Sequence, residues 1–154
     1  MDFSINLLKN IKLYCIIVIN VIMCDLFFSE RNEYMKLSEV RDILDARVLA
    51  GEELLEHEVN SACGSDLMSD VLAFVKDHAL LLTGLMNPQV IRTAEMMDIT
   101  AIVFVRGKCP DEALIEMAKM KDMVLMTTEQ PLYIASGLLY SNGLVGKQRG
   151  ALDG

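Results

Sequence analysis

The sequence predicts an α/β fold: a small three-layer domain with a mainly parallel sheet of about five strands and short crossover helices. Three observations predict it. Ala79-Leu80-Leu81-Leu82-Thr83, Ala101-Ile102-Val103-Phe104-Val105 and Met123-Val124-Leu125-Met126-Thr127 are apolar runs that start about 22 residues apart, each of a length suited to a buried strand. Each is followed by a turn and a proline, at Pro88, Pro110 and Pro131, and proline at the first helical position loses nothing, because its missing N–H would be unbonded there. A helical pattern then closes each unit. Strands that alternate with short helices pair in parallel through right-handed crossovers.

The elements follow in order. Residues 38–45 form an amphipathic helix, with Leu37, Val40, Ile43 and Leu44 on one face and Ser38 as its N-cap. Arg47-Val48-Leu49-Ala50 is a strand ended by Gly51, and residues 52–58 are an acidic turn. Residues 58–63 are a second modest strand. Gly64-Ser65-Asp66 turns the chain into a helix over 67–76, with Leu67, Val71, Phe74 and Val75 inward and Ser65 or Asp66 as cap. The helices of the three units bury Val90, Ile91, Ala94 and Met97, then Ala113, Leu114, Met117 and Ala118, then Leu132, Ala135, Leu138 and Leu139. Asn142-Gly143 stops the last helix, and residues 145–154 are a flexible tail rich in glycine and charge.

Residues 1–34 stand apart. Leu13 opens an apolar stretch that runs to Phe28, after Lys9 and Lys12. It reads as a membrane anchor, a signal peptide or an extension upstream of a natural start at Met35. Asn20 and Asp25 interrupt it, which leaves it short of the ~18–20 apolar residues that a span needs. No small-residue cleavage site follows it. The start at Met35 is the expected reading, with a cytoplasmic domain over 35–144; a membrane partner enters only if residues 13–28 are a real anchor.

Composition limits the function. The 154 residues carry 14 basic and 22 acidic side chains, a net charge of −8, which argues against a nucleic-acid partner. The 11 methionines and the absence of tryptophan give a soft aliphatic core. Cys15, Cys24, Cys63 and Cys109 lack metal-ligand or redox spacing, and neither His57 nor His78 belongs to a motif. No catalytic residue, cofactor or metal is expected.

Ligand chemistry has one natural place, outside the carboxyl ends of the parallel strands. Thr83, Gly84, Arg106, Gly107, Lys108, Thr127 and Thr128 fall there. Helix N-termini with free N–H groups point the same way, and two cations add charge for a phosphate or carboxylate. These residues read equally as turn formers and caps, and no nucleotide-loop motif accompanies them. Asp66 and Asp70 lie one helical turn apart, either as a divalent-ion pair or as a cap and a solvated acid. Two carboxylates alone supply too few ligands for a hard cation.

The stretch 35–144 resembles the DRTGG domain, a small bacterial and archaeal module. The resemblance rests on Lys36-Leu37-Ser38-Glu39-Val40, on Val48-Leu49-Ala50-Gly51, on Cys63-Gly64-Ser65-Asp66-Leu67-Met68-Ser69-Asp70-Val71-Leu72, on Ala101-Ile102-Val103 with Arg106-Gly107, on Pro110-Asp111-Glu112, and on Gly137-Leu138-Leu139-Tyr140. It implies a fold similar to the N-terminal domain of HPr kinase, a regulatory or protein-interaction role without catalysis, and a homodimer, with a further protein partner as an option. The segment Gly64, Ser65, Asp66, Ser69 and Asp70 is its most specific part and is expected to serve interaction more than folding. The chain departs from the family signature where Leu85-Met86 follows Thr83-Gly84, and where Arg106-Gly107 stands in place of a double glycine.

Overall fold

The computed structural model describes residues 34–75 and 78–145. The expectations for residues 1–33, including the apolar stretch at 13–28, and for the tail beyond 145 lie outside them. Among the described residues no helix is long and apolar enough to cross a membrane.

The elements run β1 (Met35–Lys36), α1 (Leu37–Ile43), β2 (Arg47–Ala50), a 3-10 turn (Glu52–Leu54), β3 (Glu58–Val59), β4 (Ser61–Gly64), α2 (Met68–Phe74), β5 (Ala79–Thr83), α3 (Pro88–Met96), β6 (Ala101–Phe104), α4 (Glu112–Lys119), β7 (Val124–Thr127) and α5 (Leu132–Ser141). The main sheet has the order β2-β7-β6-β5-β4. Strands β4 to β7 are parallel, and β2 joins β7 antiparallel. The fold class is therefore the expected one.

Every residue of β5, β6 and β7 is buried, because helices cover both faces, and this is why these strands are continuous apolar runs in the sequence. Their side chains still alternate. Leu80, Leu82, Val103, Val124 and Met126 pack with Leu37, Val40, Ala135 and Leu139 of α1 and α5. Leu81, Ile102, Phe104 and Leu125 pack with Met68, Val71, Val90, Ile91, Ala94, Leu114 and Ala118 of α2, α3 and α4. The two clusters are the two seams of a helix–sheet–helix sandwich.

Several local expectations are corrected. The predicted strand over 58–63 breaks at Asn60, whose N–H donates to the His78 carbonyl; Glu58–Val59 pairs with Met35–Lys36 in a separate small sheet, and Ser61–Gly64 joins the main one. Only Pro88 holds the first helical position. Pro110 precedes the Asp111 N-cap, whose carboxylate accepts from Leu114 N–H at 2.9 Å, and Pro131 is itself the N-cap of α5. Lys36, not Ser38, is the N-cap of α1, and its N–H donates to Glu39 at 2.9 Å. Helix α2 begins one residue later than expected, so Met68 is buried and Leu67 is 58% exposed; Ala113 is exposed as well.

Among the described residues, four of the five helix ends, those of α1, α3, α4 and α5, share a device. Asp45, Asp98, Asp122 and Gly143 all have positive φ. The next residue's N–H in each case reaches back five residues, as from Ile99 to Ala94 and from Met123 to Ala118. This is the Schellman stop. Aspartate takes the glycine position three times, since its short polar side chain tolerates the left-handed region better than most.

Candidate functional site at the strand ends

Register places the candidate residues on one edge. Gly64 lies opposite Leu82, Thr83 opposite Phe104, and Phe104 opposite Thr127. The loops that leave β4, β5, β6 and β7 therefore emerge side by side. Arg47, the first residue of antiparallel β2, is level with Thr127 and joins the same edge.

The loop after β6 is the sharpest. Arg106 and Gly107 are consecutive left-handed residues, with φ of 65° and 63°. For arginine that conformation is unfavourable, and neighbouring backbone holds it: Arg106 N–H donates to the Gln130 carbonyl and Gly107 N–H to the Thr128 carbonyl, each at 2.9 Å. The Arg106 side chain lies across Gly84. A Cβ on Gly84 would stand 1.7 Å from the guanidinium, so this crossing needs a residue without a side chain.

The guanidinium ends on Asp66. Arg106 Nη2 donates to Asp66 Oδ2 at 2.7 Å. Gly84 N–H donates to Asp66 Oδ1 at 2.6 Å, and the Thr83 hydroxyl donates to the same oxygen at 3.1 Å. Partial burial pushes the Asp66 carboxyl up, but the bonds from Arg106, Gly84 and Thr83 and the Arg106 charge outweigh it and hold the group below the ordinary carboxylate range. Lys108 Nζ donates to the Gly84 carbonyl at 2.6 Å. Asp66 is thus no helix cap. Its carboxylate is committed across the loops, and Leu67 N–H is instead bonded by Ser65 Oγ at 3.0 Å.

The structure brings together Thr83, Gly84, Arg106, Lys108 and Asp66, which the sequence placed in two separate groups. It does not bring the others in. Thr127 donates its hydroxyl to the Lys108 carbonyl at 2.8 Å, and Thr128 donates to the Leu44 carbonyl at 2.7 Å. Both threonines are buried and serve the backbone. Ser69 and Asp70 are exposed on α2 and make none of the Asp66 contacts. Among the described residues no group of three His, Cys, Asp or Glu side chains is placed to hold a metal ion. The Cys63 thiol is pushed up by burial and secondarily by Asp70.

Two neighbours escaped the sequence reading. Arg47 Nη2 lies 3.1 Å from Cys109 Sγ, and Glu129 lies beside Gly107. Glu129 directly follows Thr127-Thr128, and that position at a strand end was the available signal; nothing local marked Arg47.

A second surface differs in character. The outer side of α5 exposes Tyr133 at 86%, Ile134 at 45% and Tyr140 at 59%. Gly137 between them has nothing within 4 Å of where a Cβ would stand.

No protein-family model and no curated protein matches the chain. Among solved structures the chain is similar to the CBS and DRTGG domains of the regulatory region of Clostridium perfringens pyrophosphatase, determined with the activator diadenosine tetraphosphate. The TM-score is 0.59 at 18% identity, over 71% of this chain and 48% of that one. The chain therefore spans about half the length of that structure. At such identity the likeness is one of fold alone.

Proposed function

We propose that the chain is a non-catalytic regulatory module of the DRTGG kind that works as a homodimer in the cytoplasm. The observation that carries this reading is the fold shared with a CBS and DRTGG regulatory region over 71% of the chain. Among the residues that carry the DRTGG resemblance, Gly64–Asp66 lie at the end of β4 and Arg106-Gly107 follow β6. Self-association is supported by α5, a helix with no charged residue in a chain of net charge −8, whose outer face is aromatic and unpacked among the described residues. Sedimentation equilibrium of the full chain and of Tyr133→Glu tests it. A dimer that the substitution weakens is expected, and a strict monomer at high micromolar concentration overturns the homodimer.

A second reading has its own observation. The donors around Asp66 suit a small anionic ligand, a nucleotide or phosphometabolite, at the carboxyl ends of the strands. Thermal shift against a panel that includes inorganic phosphate and a dinucleoside polyphosphate, the class of activator bound by the similar regulatory region, is the test. A ligand raises the midpoint by mass action, and Arg106→Ala should remove the rise.

A further inference from the structure

Three donors of different kinds converge on the Asp66 carboxylate: a backbone N–H from Gly84, a hydroxyl from Thr83 and a guanidinium from Arg106. This is a donor set that recognises a phosphate or carboxylate group. The receiving side is anchored through its strand end and its backbone. Thr83 is fully buried at the end of β5, and Arg106 is fixed in its left-handed conformation by the bond from its N–H to Gln130. The delivering side is not built the same way. Asp66 comes from the short turn between β4 and α2, in which Gly64, Asp66 and Leu67 are all exposed. Its side chain and that of Arg106 are each 44% accessible, so water and solutes reach the contact.

We propose that Asp66 is a built-in stand-in for an external anion. On this proposal, which rests on the anionic-ligand reading, a phosphate or carboxylate group displaces Asp66 from Gly84, Thr83 and Arg106. Displacement frees the turn that leads into α2, so anion binding is reported as a change in that segment. Lys108, whose ammonium is bonded to a carbonyl rather than to a carboxylate, supplies further positive charge beside the seat. Glu129, against Gly107, offsets part of it, which suits a small singly or doubly charged group. A tethered competitor acts at an effective concentration on the order of millimolar, so it weakens a free anion that binds the same donors.

The experiment follows the backbone amide of Gly84 by two-dimensional nitrogen–proton NMR during titration with inorganic phosphate, with sodium chloride at matched ionic strength as control. The full chain and its Asp66→Ala variant are compared. The variant should give a saturable Gly84 shift with phosphate, about tenfold tighter than wild type, and adding Arg106→Ala to it should abolish the response. Wild type should reach the same end point at higher phosphate. Equal affinity in both proteins overturns the stand-in role of Asp66 while the anion site survives. No phosphate-specific shift in either protein overturns both. If Asp66→Ala fails to fold, Asp66→Asn keeps the side-chain shape and removes the competing charge, and the same outcomes apply.

Discussion

The ends of β5 and β7 carry similar residues, Thr83-Gly84 and Thr127-Thr128, yet their hydroxyls go to different places. Thr83 donates to Asp66, an accessible side chain on a neighbouring turn. Thr127 and Thr128 donate to backbone carbonyls, to Lys108 in a part-buried bond and to Leu44 in a fully buried one. A bond to an accessible carboxylate can be exchanged for a bond to a solute while the fold stays intact. A bond to a buried carbonyl opens only when the surrounding elements part. The same residue type at the same kind of strand end is therefore exchangeable in one case and structural in the other.

The largest expected effect tests the structural end. Thr128→Val keeps the shape and deletes the hydroxyl that bonds Leu44 and receives Gln130 N–H at 3.2 Å. An unsatisfied buried group costs about 1–3 kcal/mol, so the urea midpoint should fall clearly. Thr83→Val likewise takes an acceptor from Leu85 N–H, bonded at 3.1 Å, but should cost less, because the accessible Asp66 carboxylate keeps Gly84 and Arg106. Urea unfolding of the two variants side by side reads the difference, and the comparison breaks if Thr83→Val proves the more damaging.

A finer effect concerns strain on the exchangeable side. Arg106→Ala and Arg106→Gly both remove the ion pair with Asp66, but only glycine relieves the left-handed backbone. The glycine variant should be the more stable by about 1 kcal/mol. Equal unfolding free energies would mean that the backbone at φ 65° stores no strain that the loop must offset.

The legible and illegible parts of the molecule divide along the same line. Strands β5, β6 and β7 were readable because burial on both faces makes them apolar throughout, a property of the segment itself. The split at Asn60 and the antiparallel edge strand β2 depend on partners far along the chain, His78 for the first and β7 for the second. The expectation that Ser65 or Asp66 caps α2 fails at Asp66 for this reason. Capping rules look a few residues ahead, whereas its amide partner is Gly84, 18 residues on, and its cation is Arg106, 40 residues on. The strand ends could be listed from the sequence; which of their side chains meet could not. The aspartates that stop α1, α3 and α4 were missed because glycine, not aspartate, is the usual sign of that stop.

Acid should weaken the exchangeable side in a particular window. The Asp66 carboxyl is held below its ordinary value of 3.8. A depressed folded-state value means that the ionised form stabilises the fold above the unfolded value and that this contribution disappears as pH falls through the folded one. The stability difference between wild type and Asp66→Asn should be flat from neutral pH to about 5 and should shrink below about 4. Denaturation at a series of pH values measures it. A difference that persists to the most acid pH would assign the effect to shape and not to charge.

The smallest effect separates two residues that the sequence grouped together. Ser69 and Asp66 lie in one segment, which is expected from the sequence to serve interaction more than folding. Asp66 is bonded to Thr83 at the end of β5 and to Gly84 and Arg106 in two loops, whereas Ser69 is exposed on α2. Ser69→Ala should change stability by no more than ~0.5 kcal/mol. It should also leave the phosphate response of the Gly84 amide as in wild type, since it alters neither the seat nor its occupant. The released turn leads directly into the helix that carries Ser69, which makes this a demanding comparison. If Ser69→Ala tightened phosphate as Asp66→Ala is expected to, the competition would belong to the whole turn and helix, and the Asp66 carboxylate would be only one of its contacts.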